Sequence, residues 1–141
     1  MASKKDTLAL LSGVPLFEGL SKRELESIWS VAKEVQFDEG YDVVAEGATG
    51  VGFHLLLEGE AHVLIGGRKR ATLRAGDYFG EMSLIDGGPR SATVRTSTPV
   101  RTLALTSWAF LPLLDKNPSI ARKLLTEMSK RLRGIERSLT H

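Results

Sequence analysis

The spacing of apolar residues changes character twice along the chain. Leu25, Ile28, Trp29 and Ala32 recur at helical intervals after Ser21, and Glu24 stands three residues beyond that serine, where the two side chains can satisfy each other's backbone amides as a capping box. This predicts a helix from about 21 to 34. A shorter helical piece is expected around Thr7 to Leu11, and "GVPLFEGL" between them reads as a turn that tucks Leu16 and Phe17 inward.

From Gln36 to Leu105, short runs of Val, Leu, Phe and Thr are separated by glycine-bearing breaks at Gly40, Gly47, Gly50, Gly59, Gly66-Gly67, Gly76 and Gly87-Gly88. Many short strands at such spacing build a barrel or sandwich. Strands are expected at Glu34 to Phe37, Asp42 to Ala45, Gly52 to Glu58, Glu60 to Ile65, Lys69 to Leu73, Tyr78 to Phe79, Ser91 to Thr96 and Val100 to Thr106. Glycine takes positive φ without steric cost, so "EGE" and the Gly66-Gly67 pair suit tight hairpins.

After "TSWAFLPLLDKNP" a last helix is expected from Pro118 or Ser119, with proline in the first turn. Its Ala121, Leu125, Met128, Leu132, Ile135 and Leu139 step by 4, 3, 4, 3, 4, the seam of a coiled coil, and Leu124 widens that stripe. A helix packed on its own barrel would show the same stripe, and the pattern leaves both open. Its length is about 20 residues, hence about 30 Å. Trp29 and Trp108 fall in apolar helical stretches and read as core.

A chain of 141 residues suits one domain, here with N-terminal helices over about 6–35, a β region over about 36–106 and C-terminal helices over about 107–139. With 42% hydrophobic and 26% charged residues it reads as globular and soluble. The absence of cysteine removes disulfides and thiolate metal sites and agrees with a cytoplasmic setting. The early "LALL" run is broken by Ser12, Gly13 and Pro15, short of a signal peptide, and no stretch approaches the roughly 18 apolar residues of a membrane span. A membrane partner is not expected.

A net charge of +2 does not announce a nucleic-acid binder, and the basic "ARKLLTEMSKRLRGIER" reads as the solvated face of a helix. Direct nucleic-acid binding is not expected of this chain. His54, His62 and His141 lack the spacing of a metal set, no serine sits in a nucleophile elbow, and "GGRKR" at 66–70 lacks the ending of a P-loop and reads as a basic hairpin turn. No metal, cofactor or catalytic residue is expected, and the chain is read as a binding module rather than an enzyme.

The segment "FGEMSLIDGGPRSATV" at 79–94 is oversupplied for a structural turn. If 81 to 85 makes one helical turn, its first N–H groups are free and the positive end of the turn favours an anion. Gly80 permits close approach, Arg90 offers a planar fork of donors to a phosphate, and Ser91 adds a hydroxyl. The carboxylate of Glu81 would repel a phosphate but accepts strongly from a sugar hydroxyl, so the pair suits a phosphate beside a ribose. The plain alternative is that Glu81 and Arg90 pair with each other.

Gly80, Glu81, Met82, Ser83, Leu84, then Pro89, Arg90, Ser91, Ala92, Thr93 and Val94 resemble, without a gap, the phosphate-binding cassette of cyclic nucleotide-binding domains of the catabolite activator and protein kinase A regulatory subunit superfamily. "GYDVVAEGATGVGFHLLLEGEAHVLI" resembles the family's early strands, and the likeness covers about 14 to 139. It implies a mainly β fold, an eight-stranded antiparallel β-roll with an N-terminal helical bundle and a long C-terminal helix. It implies a nucleotide site of Phe79, Gly80, Glu81, Met82, Ser83, Arg90, Ser91, Ala92 and Val94, with Glu81 on the ribose 2′-hydroxyl, Arg90 on the exocyclic phosphate oxygens, and Arg131 and Ile135 as base contacts from the last helix. Ile135 and Glu136 stand where the catabolite activator branch carries Thr-Ser, and Ser91 stands where guanine-preferring members often carry Thr.

The expected ligand is therefore cyclic AMP, with cyclic GMP as the alternative. The expected function is a sensor that couples binding to movement of the last helix, with a homodimer through that helix and a downstream protein as partners. Two other functions remain: a ligand-free dimerisation module of the same fold, or the sensor half of a transcription factor whose DNA-binding domain would follow His141.

Overall fold

In a computed structural model of the chain, which describes residues 3–48 and 52–139, Ser21 and Glu24 make the capping box that their spacing predicts. Ser21 N–H donates to Glu24 Oε1 at 2.8 Å, and Glu24 N–H donates to Ser21 Oγ at 3.2 Å. The helix they open, α2, spans Lys22–Val31. It stops short of the expected residue 34 because Lys33–Phe37 pairs as strand β1 with Val100–Thr106. An earlier helix, α1, spans Lys4–Ser12, longer than its apolar residues suggested because Ser3 Oγ caps it through Asp6 N–H. Pro15–Phe17 forms a 3₁₀ turn that buries Leu16 and Phe17 completely or nearly so, as expected.

The remaining strands are β2 (Asp42–Val44), β3 (Gly52–Glu58), β4 (Ala61–Ile65), β5 (Arg68–Leu73), β6 (Tyr78–Phe79), β7 (Thr93–Thr96) and β8 (Val100–Thr106). All pairs are antiparallel, in two four-stranded sheets ordered β1-β8-β3-β6 and β2-β7-β4-β5. The mainly β architecture with flanking helices is thus present. β7 begins two residues later than expected because Arg90 is held from another direction: its N–H donates to Ala48 O and its C=O accepts from Gly47 N–H, both at 2.9 Å. Gly59 turns β3 into β4 at φ +96, where an added Cβ would collide with Pro99 O. Arg68, Lys69 and Arg70 lie exposed on the edge strand β5, charges that discourage pairing with another chain. Gly50 and His141 lie outside the described residues.

Two apolar cores hold these layers. The larger joins α1, α2, β3, β8 and the C-terminal helices through Leu11, Phe17, Ile28, Phe53 and Leu105. The smaller lies between the sheets, where Leu56, Ala61, Val94 and Val100 meet Phe37, Val44, Val63, Leu73 and Phe79.

Helix α3 (Ser83–Asp86) lies between β6 and β7, and α4 (Ser107–Lys116) and α5 (Pro118–Leu139) end the chain. Helix α3 begins two residues later and ends one later than the turn expected at 81 to 85. Trp108 is not core: it is 66% exposed while Phe110, two residues on and so on the opposite side of α4, is fully buried. Trp29 is half-buried against the larger core, with Lys4 Nζ 4.9 Å from its ring centroid.

The stripe on α5 divides. Ile120 and Leu124 are buried, so Leu124 belongs to the chain's own core rather than widening an outer seam. Met128 packs at the margin of that core, while Leu125 and Leu132 are 64% and 62% exposed. Ile135 is exposed as well. The side chain of Leu139 lies outside the described residues.

Candidate functional site

The segment 79–94 forms one wall of a cavity of about 530 Å³, within the range of small-molecule sites. Phe79, Gly80, Glu81, Met82, Ser83, Arg90, Ser91, Ala92 and Val94 all line it. The structure thus brings these nine expected site residues to one cavity, while Leu84 and Thr93 of the same segment do not line it. Val44, Val63, Leu73, Tyr78 and Pro89 complete the lining. Nothing in the residue type of Val63 or Leu73 marks them as cavity wall.

Local geometry explains why the segment keeps its shape. Phe79 stacks on His54 of β3, ring centroids 5.1 Å apart and planes at 17°. Gly80 then takes φ +85, and an added Cβ there would overlap both Arg90 Nη1 and Gly52 O. The glycine is required by the arginine behind it. Leu84 anchors α3 in the larger core, Gly87 ends the helix at φ +65, and Asp86 Oδ1 accepts from Gly88 N–H at 2.8 Å.

Arg90 is 8% exposed, and its Nη2 donates to Gly52 O at 2.5 Å. Its Nε is buried and has no hydrogen-bond partner. A buried donor left unmade costs about 1–3 kcal/mol, more on a charged group. Burial pushes the guanidinium pKa below its ordinary value, and the negative charge of Glu81 partly offsets that.

Glu81 does not form an ion pair with Arg90. Its Oε1 lies 4.0 Å from Arg131 Nη1 on α5, and its side chain is 22% exposed. Tyr78 lies in the same field: burial and the Glu81 charge raise its phenol pKa, while Arg131 opposes them. Arg131 therefore reaches the cassette through Glu81, whereas neither Arg131 nor Ile135 lines the cavity.

Behind the cassette, His54 Nδ1 shares a hydrogen bond with Thr102 Oγ1 at 3.0 Å. Burial first, then the nearby Arg90 charge, lower its pKa to about 4. The histidine is thus a neutral support under Phe79, placed on an inner strand rather than at an edge or on the surface. Among the described residues no cluster of His, Cys, Asp or Glu could hold a metal ion. No helix among them is long and apolar enough to cross a membrane.

An anion donor and a carboxylate acceptor in one half-apolar cavity can hold a ligand carrying both phosphate and hydroxyl groups. Comparison with known proteins points the same way. The family model described as cyclic nucleotide-binding domain matches residues 34–117. The cAMP-dependent protein kinase regulatory subunit of Emericella nidulans is 36% identical over 125 residues, 87% of this chain and 30% of that protein. The cyclic AMP receptor protein of Thermus thermophilus is 31% identical over 134 residues, 92% of this chain and 62% of that protein. The chain spans less than two thirds of either relative. Among solved structures, the N-terminal domain of a transcriptional regulator from Streptomyces coelicolor A3(2) superposes with a TM-score of 0.86 at 28% identity, covering 94% of this chain and 96% of that one.

Proposed function

The chain belongs to the cyclic nucleotide-binding domain family, and from that premise we propose that it is a cytoplasmic sensor of cyclic AMP that signals through α5. The observation that carries the reading is the guanidinium fork of the nearly buried Arg90, which lines one cavity with Glu81 without pairing to it. A cyclic phosphate accepts from that fork of donors, and desolvation around Arg90 strengthens each bond it makes. Glu81, held apart from Arg90, takes the ribose 2′-hydroxyl. The base lies toward the apolar lining of Val44, Val63 and Leu73.

The contact between Glu81 and Arg131 supports the coupling. A ligand hydroxyl on Glu81 changes what Arg131 meets, and α5 carries that change away from the cavity. Binding, not catalysis, is the proposed activity: His54 and His62 lie in different sheets, and the names of the relatives describe regulation.

Leu125 and Leu132 on α5 are seven residues apart and exposed, which supports a homodimer through this helix. The downstream protein would read the position of α5.

Calorimetric titration with cyclic AMP and cyclic GMP tests the reading. Tighter binding of cyclic AMP, lost in Arg90→Ala, is expected; no heat and no thermal shift with either nucleotide would overturn it.

A further inference from the structure

Two carboxylates outside helix α5, far apart in sequence, meet side chains of that helix. Ser119, Lys123, Glu127 and Arg131 recur every four residues and so follow one slowly drifting ridge along the helix. At its start, Ser119 Oγ donates to Glu24 Oε2 at 2.7 Å and Lys123 Nζ to Glu24 Oε1 at 2.6 Å. Further along, Arg131 meets Glu81. Glu24 is also the capping-box residue of α2, so one side chain fixes the beginnings of both helices.

This anchor differs from the surface ion pairs. The Glu24 side chain is 12% exposed and that of Lys123 41%, whereas Lys4 and Glu26, a pair on the same helical bundle, are 49% and 39% exposed, and Glu24 accepts from Ser119 as well as from Lys123. The Lys123 bond, with those from Ser21 N–H and Ser119, lowers the Glu24 pKa to about 2. Ile120, Leu124 and Met128 also hold α5 against the core, but this apolar attraction is non-directional. The two bonds to Glu24 set the direction. At 1.5 Å per residue Arg131 lies about 18 Å beyond Ser119, so a tilt of about 10° moves it by about 3 Å, enough to separate it from Glu81.

We propose that Glu24 is a positioning residue for the nucleotide site, locking the start of α5 to α2 so that Arg131 is delivered to Glu81. The inference rests on the cyclic nucleotide reading for its effect on affinity, but its positional half stands apart from any ligand. The chain has no cysteine, so spin labels at Lys69→Cys and Arg133→Cys, both exposed positions, report the distance from α5 to the β-roll.

Without nucleotide, Glu24→Gln should shift or broaden that distance and Glu26→Gln should not. With cyclic AMP, Glu24→Gln should weaken binding about threefold or more, and adding it to Arg131→Met should cause no further loss. Lys123→Met removes one bond only and serves if Glu24→Gln does not fold. An unchanged label distance in the folded variants overturns the inference, as does a binding loss that adds in full to that of Arg131→Met. If the unsubstituted protein binds no cyclic nucleotide, the functional reading falls, and the label distance alone decides whether Glu24 positions α5.

Discussion

Gly80 and Arg90 exclude any side chain between them: a Cβ on Gly80 would overlap Arg90 Nη1, and the glycine backbone already sits at φ +85. The nearness of the two residues is thus a steric condition for the arginine's placement against Gly52 O. Gly80→Ala is expected to destabilise the fold by about 2 kcal/mol or more, combining strain at positive φ with the overlap. Thermal unfolding checks the loss, and cyclic AMP titration should show weakened binding in the surviving folded protein because Arg90 must shift.

Arg90→Lys separates charge from geometry. Lysine keeps the positive charge but loses the planar fork, so on the proposed reading its ammonium cannot hold both Gly52 O and a phosphate. Binding of cyclic AMP should weaken by about tenfold or more, and by more still in Arg90→Ala. Equal affinity of the lysine variant and the unsubstituted protein would remove the fork from the account.

His54 makes stability depend on pH in a stated window. Its folded pKa of about 4 lies below the unfolded 6.5, so the unfolded chain takes up the proton first as pH falls. Stability from this group is fully present above 6.5 and is lost progressively down to about 4, at up to about 1.4 kcal/mol per pH unit. Glu24, lowered from 4.5 to about 2, adds its own loss below 4.5. Denaturant unfolding between pH 7 and 5 should therefore show a slope that His54→Gln flattens, since glutamine can keep a bond to Thr102 without titrating.

Leu132 tests the outer face of α5. It is 62% exposed and Leu125, one heptad earlier, 64%. Leu132→Glu should convert a dimer to a monomer in analytical sedimentation while leaving thermal stability of the folded chain nearly unchanged. A monomer before substitution would end the dimer proposal.

Much of the fold was legible because its signals are local. The Ser21–Glu24 capping box and the strands at 52–58, 78–79 and 100–106 appear where they were expected, since each rests on neighbours a few residues apart or on strict alternation. The cassette was legible as a set of residues, and the nine of them share one cavity. The plain alternative, that Glu81 and Arg90 pair with each other, does not hold: α5 brings Arg131 to Glu81. Trp108 failed for a different reason: an apolar helical stretch does not say which of its sides faces inward, and Phe110 takes the core side.

The order of residues alone decides the helix starts, the strand pattern, and the presence of an arginine fork and a carboxylate in one short segment. These depend on bonds within a turn or a hairpin. Tertiary structure decides what each group faces. Gly52 O behind Arg90, His54 beneath Phe79, and the Glu24 bond to Lys123 join positions 38, 25 and 99 residues apart. The oxygen of a backbone carbonyl is the same in every residue type. Only the folded path of the chain brings it to the guanidinium, and only that path leaves Leu125 outside while Leu124 goes in.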